Sequence, residues 1–383
     1  RDASTFAISS VNVSAIDTPV SFRVAFHHGL FADSSDPHGD GSVTAAATAG
    51  HIYSDTAPGT YTWGTLTSCV KTVMANNNHS DEDFAYRNDN GNTPTAGYTT
   101  YKWTPPVAIT NARTLVVAGG GGGGTDMGGG GGAGGLLAST TTNIALEEQT
   151  IVVGDGGARG YGPSNTNQHR GGNGADSSIS GPGITAIGGG GGATGHNDTY
   201  DRAAGNGGSG GGGSGGLAQD GNYGANSGTG IAGQGFDGGN SGVAWYPGGG
   251  GGAGEKGYGR NGSGGGGNNV IGHGGNGMED DILGISYWWA GGGGNGGHSV
   301  QGGDGGKGGG GGGAYHNSTT RPINNTYGIT TGVIPTATAG GSKNNGGSGG
   351  KHTGGGGGGG EHNENTNVLL MRGGRGGSGI VII

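Results

Sequence analysis

Charge is scarce in this chain. Seventeen Lys and Arg and 26 Asp and Glu occur in 383 residues, for a formal net charge of −9. Without a basic surplus there is no electrostatic footprint for nucleic acid or for an anionic membrane surface. Apolar residues are equally thin, at 29% against the ~45–50% of an ordinary globular domain, so one oily core cannot organise the whole length. No apolar run is long enough for a membrane-spanning helix. Cys69 is the single cysteine; it excludes an internal disulfide and paired-cysteine metal sites, and it reads as a small buried hydrophobe. Eleven prolines, and no chain-long placement of glycine at every third residue, exclude a collagen triple helix.

What is abundant is glycine: 109 residues, about four times the usual share. Its use changes near residue 118. Residues 1–117 read as a small N-terminal β-sandwich and an assembly domain. Thr5-Phe6-Ala7-Ile8 and Val20 to Phe26 alternate apolar with polar, and Tyr61-Thr62-Trp63 and Tyr98 to Trp103 carry the aromatic and Thr pattern of a pleated surface. Residues 118–383 alternate between pure glycine runs, such as 119–124, 128–132, 188–192, 248–252, 308–313 and 354–360, and short varied segments. Strand-like pieces abut the runs near 115–117, 150–153, 184–187 and 380–383. No segment holds a helical period.

Short, punctuated glycine runs suit two fates, flexible linkers or polyglycine II helices. The second has three residues per turn and no internal hydrogen bonds. Its N–H and C=O groups point outward and need partners on neighbouring backbones. A Cβ would block that approach, which gives a reason for glycine at nearly every position of a run. The expected fold is therefore all-β plus polyglycine II: the N-terminal sandwich, then a jelly-roll-like β frame holding a bundle of polyglycine II helices.

Catalytic signatures are weak. Gly-x-Gly-x-x-Gly carries no information at this glycine content, no phosphate-loop Lys-Ser/Thr follows a glycine run, and Gly-x-Ser-x-Gly falls on Ser209 without strand–turn–helix context. The expectation is a non-enzyme without cofactors. Two acidic groups could hold calcium: Asp33, Asp36 and Asp40 beside His38, and Asp81, Glu82, Asp83 and Asp89. Solvated turns are the plainer reading of both. Aromatics stand among glycine runs at Trp245-Tyr246 and Tyr287-Trp288-Trp289, placed either to stack on sugars or to pack the bundle and its neighbours. Candidate N-glycosylation acceptors are Asn12, Asn78, Asn197, Asn261, Asn317 and Asn324. Arg372-Gly373 and Arg375-Gly376 have the look of RGG pairs, but the acidic balance speaks against nucleic acid.

The order of several pieces resembles the glycine-rich domain of phage tail-fibre proteins over about residues 100–383. These pieces are Trp103-Thr104-Pro105-Pro106, Leu115-Val116-Val117-Ala118 before 119–124, Thr150 to Gly157, Gly174 to Ile179, Ile184 to Gly190, His352-Thr353 before 354–360, and Gly376 to Ile382. The texture is similar to T-even-type tip adhesins and to the glycine-rich ectodomain region of the anaplastic lymphoma kinase receptor. The resemblance implies an extracellular, non-catalytic role. Two roles follow. One is a repeating fibre subunit with itself as partner, linked by β-strand addition through Thr5, Phe6 and Ile8 and ending on bare apolar Ile380 and Ile382. The other is a tip adhesin that recognises a host surface glycan or protein through variable loops.

Overall fold

The computed structural model describes residues 11–12, 21–27, 51–55, 60–61, 65–72, 96–105, 108–162, 170–195, 203–215, 226–241, 246–259, 272–284, 286–297, 302–314, 345–361 and 371–383. Among them there is no helix, and the strands are β1 (Val11–Asn12), β2 (Ser21–His27), β3 (His51–Asp55), β4 (Thr60–Tyr61), β5 (Thr65–Thr72), β6 (Tyr98–Thr104), β7 (Ile109–Val117), β8 (Leu136–Ile144), β9 (Gln149–Gly154), β10 (Tyr161–Gly162), β11 (Ser177–Ile179), β12 (Ile184–Ala186), β13 (Met278–Asp280), β14 (Tyr287–Trp289), β15 (Met371–Arg372) and β16 (Ile380–Ile382). Ten of them form two five-stranded antiparallel sheets, in the orders β12-β11-β9-β6-β5 and β3-β2-β16-β7-β8.

The two sheets face each other across a shared core. Tyr101, Trp103, Ile151, Val153 and Ile179 from one sheet meet Phe26, Val116, Ile144 and Val381 from the other. The Phe26 ring lies 5.2 Å from that of Tyr101 and 5.7 Å from that of Trp103, both tilted or edge-on, an arrangement favoured by the ring quadrupoles. The second sheet is buried on its other face too. There Leu115, Val117, Leu136, Ile380 and Ile382 pack against Tyr287, Trp289 and Ile282 and against the rod alanines Ala133, Ala253 and Ala290. This two-sided burial is why 115–118 and 380–383 are unbroken apolar runs rather than alternating ones.

Strand pairing crosses the expected boundary at residue 117. β16, from the end of the chain, lies between β2 and β7 (Val381 opposite Phe26 and Val116), and β6 lies between β5 and β9 (Tyr101 opposite Cys69 and Ile151). Both sheets draw strands from either side of the composition change. That change marks where glycine begins to be used; it does not mark where strand pairing ends, because antiparallel ladders join segments far apart in sequence.

Between the strands, the glycine runs form straight rods whose hydrogen bonds leave the run and turn by a third at each residue. In 119–124, Gly119 and Gly122 donate to Ala175 and Gly172, Gly120 and Gly123 to Gly377 and Gly374, and Gly121 and Gly124 to Gly132 and Gly129. Its carbonyls accept with the same repeat: 119 and 122 from Gly189 and Gly192, 120 and 123 from Gly157 and Gly160, 121 and 124 from Gly357 and Gly360. One rod therefore has six neighbours, three antiparallel to which it donates and three parallel from which it accepts. The 128–135 rod also has six neighbours, with different directions: it donates to the antiparallel 354–360 and 187–193 and the parallel 248–251, and accepts from 293–296, 121–124 and 209–212, all antiparallel. Three residues per turn with outward hydrogen bonds is the repeat expected of threefold extended helices packed side by side.

Close approach of backbones requires glycine here. A Cβ placed on Gly131 would overlap the Gly121 carbonyl, and one on Gly293 would overlap that of Gly357; both obstacles are backbone that neighbouring rods hold in place. Gly131→Ala is expected to lose at least the ~1–3 kcal/mol of an overpacked core, together with ~1 kcal/mol for each hydrogen bond it displaces. Denaturant unfolding checks this; a Gly131→Ala chain as stable as its parent would contradict the lattice.

Candidate functional site

Rods leave the sheets in one direction. β7 runs into 119–124, β9 into 155–160 and β12 into 187–195, while 128–135, 171–176 and 373–379 return to β8, β11 and β16. The far ends of the rods are tied together away from the sheets. Gly195 donates to Thr125, Gly215 to Met127, Gly128 to Gly360, Ala314 to Gly359, Gly297 to Ala314 and Gly373 to Gly160. The tight 125–127 turn sits among them, fully buried, with Asp126 and Met127 at φ of 50° and 53°.

The segments 163–169, 196–202, 216–225, 242–245, 260–271, 298–301, 315–344 and 362–370 are all flanked by residues at this far end. At the sheet end the described connections are short: the turns at 231–235 and 252–255, the 278–289 hairpin, and the tight turns near 308 and 352. The described residues that flank each long varied segment of the glycine region thus lie at one end of the rods. In sequence these segments carry Tyr200, Tyr223, Trp245, Tyr315 and Tyr327 among Asn, Ser and Thr, the residue types of binding loops, where aromatic rings give contact area and small polar groups give adaptable hydrogen bonds.

The aromatic hairpin lies at the other end. β13 and β14 pair Met278 with Trp289, Glu279 with Trp288 and Asp280 with Tyr287. Trp289 is fully buried and Tyr287 nearly so, their rings 6.1 Å apart. These two residues, expected either to stack on sugars or to pack the bundle, are core: alternation on the strand turns them onto the second sheet and only Trp288 outward. Lys307 Nζ stands 4.7 Å from the Trp288 ring centre. Arg113 on β7 clamps the hairpin through Asp280 Oδ1 at 3.0 Å and through Asp281. Burial opposes its charge, but the hydrogen bonds to Asp281 and Asp280 outweigh that and hold its pKa above the ordinary arginine value.

Ile380 and Ile382, expected both in a frame strand and as an assembly surface, are core, 5% and 0% exposed; β16 pairs with β2 and β7, and Leu115, Val117, Tyr287 and Trp289 pack with them. Tyr246 is half-buried beside the far end of the lattice. Ser209 is fully buried within a rod, its N–H on Ala133 and its carbonyl on Gly190. Arg375 pairs with Asp155 at 2.6 Å and Arg372 lies over the Tyr161 ring, so both serve contacts within the chain. Thr5, Phe6, Ile8, Trp245, Asp33, Asp36, Asp40, Asn78, Asn197, Asn261, Asn317 and Asn324 lie outside the described residues, and Asn12 is described only as backbone of β1. Among the described residues no cluster of three His, Cys, Asp or Glu suits a metal, and no helix is long and apolar enough to cross a membrane.

Sequence reasoning missed a class of residues at the lattice edge. Outer rods carry a side chain at every third position: His273 and Asn276, Asp237 and Asn240, Asp304 and Lys307, Asn345, Ser348 and Lys351, Arg372, Arg375 and Ser378. Several accept hydrogen bonds from backbone N–H groups that have no rod to donate to. Asn173 Oδ1 takes Gly191 at 2.9 Å, Asp176 Oδ1 takes Gly188 at 2.8 Å, Asn276 Oδ1 takes Lys307 at 3.0 Å and His273 Nδ1 takes Asp304 at 2.9 Å. Their signal was a local polar residue at every third position, as in His273-Gly-Gly-Asn276 and Asn173-Gly-Ala-Asp176, distinct from the uninterrupted runs of interior rods.

Residues 93–297, 205 of the 383, match the family described as a glycine-rich domain. No curated protein and no solved structure matches the chain. For the aromatic hairpin, Trp289→Ala is expected to lose about 3–5 kcal/mol. Trp288→Ala is expected to lose no more than the ~1 kcal/mol of an exposed cation–π contact. Paired denaturation curves of the two variants check the ranking.

Proposed function

The chain belongs to the glycine-rich domain family, and from that footing we propose that it is a non-catalytic extracellular recognition protein: a rigid lattice of polyglycine II helices, framed by two sheets, that displays its varied segments to a surface glycan or protein. One observation carries this reading, the flanking of all eight segments by rod ends on the side away from the sheets. A lattice in which each interior rod has six neighbours cannot rearrange rod by rod, so it is a stiff mount. Stiffness in the mount lowers the ordering cost of binding. The resemblance of residues 100–383 to tail-fibre glycine-rich domains points the same way, toward an adhesin.

A repeating fibre subunit is the second reading. It rested on two ends of the chain. The C-terminal end is buried in the chain's own sheet, which removes that support. The Thr5–Ser14 segment lies outside the described residues except for β1, and β1 pairs with β4 of the same chain. Strand addition by residues 1–10 remains the mode by which such a fibre would form.

Replacing 315–344 by a short Gly-Ser linker tests the display reading. Glycan-array and whole-cell binding by the parent should fall at least tenfold in the variant, while its thermal unfolding stays that of the parent. Binding that survives replacement of 315–344 and, in turn, of each other segment would contradict the reading.

A further inference from the structure

A hydrogen-bonded lattice has no natural limit. Each rod at its rim leaves one face of N–H and C=O groups directed outward, the same hazard that an edge strand poses for a sheet. The rod 171–176 shows how this chain deals with its rim. Gly171 and Gly174 donate to Gly192 and Gly189, and Gly172 and Ala175 donate to Ala158 and Asp155. Those two faces are filled. The third face holds Asn173 and Asp176, both exposed, and their side chains fold back onto Gly191 and Gly188 of the next rod. Those two N–H groups are three residues apart, and they lie where the lattice repeat would send them to another rod. The side-chain oxygens stand in for the carbonyls of that missing rod.

The same device recurs on independent rods. Asp237 Oδ1 takes the Gly230 N–H at 2.9 Å, and Asn240 Oδ1 takes that of Ser227 at 3.1 Å. Each cap also puts a Cβ and a polar group on the outward face, where a close-packed backbone would have to sit.

We propose that the Asn and Asp side chains at every third position of the outer rods terminate the glycine lattice, and that the partner they keep off is the equivalent rod of a second copy of this chain. The fitting occupant is a second copy because a rod can be matched only by another backbone of the same three-residue repeat free of Cβ groups. With Asn173 and Asp176 replaced by glycine, the third faces of two 171–176 rods meet that requirement in an isologous, twofold pairing. The caps then act as specificity devices, holding the display unit to its own lattice. This inference does not rest on what the varied segments bind.

The test is the double variant Asn173→Gly, Asp176→Gly in the full chain, followed by sedimentation velocity over a tenfold concentration range. The variant is expected to keep the parent's unfolding profile within a few degrees while its weight-average mass rises from the parent value toward twice that value. Asp176→Asn removes the charge but keeps the acceptor, and is expected to sediment as the parent does. A folded double variant whose mass stays at the parent value overturns the proposal, and so does association by Asp176→Asn to the same extent, since that would assign the effect to charge. Should the double variant not fold, Asn240→Gly on a separate rod carries the same measurement. If it too fails to fold, the caps are supports of the fold and the proposal is wrong.

Discussion

The hydrogen bond between one glycine backbone and the next is the contact on which this structure depends. A glycine residue brings one N–H and one C=O to a rod, and the lattice gives each a partner on a different neighbour. Little else is available to hold the interior glycine runs, because glycine has no side chain to pack. The bond forms only where no Cβ intervenes, and so the chemistry of the contact dictates the composition of more than half the chain. Ordering a backbone residue costs roughly 1–2 kcal/mol, more for glycine than for any other residue, while a hydrogen bond contributes about 1 kcal/mol net. By those magnitudes an isolated rod, or a pair, is not stable. A rod enclosed by six others gains close packing along its whole length in addition to its full set of bonds.

That arithmetic explains why the lattice comes attached to sheets. The apolar residues are few but concentrated: Trp103, Tyr101, Phe26, Leu115, Val116, Val381 and Ile382 form two clusters on either face of one sheet. The same strands that build these clusters run directly into rods, so the register fixed by the core sets the height at which each rod meets its neighbours. The second cluster also takes in Ala133, Ala253 and Ala290 at rod ends, which couples the hydrophobic core to the lattice without a flexible joint. One end of the lattice is thereby anchored. At the other end lie the described residues that flank the varied segments.

Much of this was legible in the residues. The strands near 115–117, 150–153, 184–187 and 380–383 stand where their β-branched residues placed them, and glycine runs bounded by such strands predicted outward hydrogen bonding. The sheet topology was not legible. Nothing local in Ser21–His27 says that it pairs with the last residues of the chain, and a change in composition was read as a domain boundary. For Tyr287 and Trp289 the residues leave sugar stacking and packing of the bundle both open, because glycine surrounds them in sequence; the β13–β14 hairpin folds them onto the second sheet. The edge residues were hidden for a different reason. A chain-long search for glycine at every third position finds none, whereas the triplet spacing exists in short stretches such as Arg372-Gly-Gly-Arg375-Gly-Gly-Ser378, each one rod long.

Native-state hydrogen exchange, resolved by residue, measures the central contact most directly. If the rods are held by backbone hydrogen bonds in one cooperative lattice joined to the sheets, the amides of Gly121, Gly131, Gly293 and Gly357 will exchange as slowly as those of Val116 and Val381, through the same global opening. Exchange of these glycines at the rate of an unstructured chain, while the strand amides stay protected, would show that the rods are not held by their neighbours and would contradict the account.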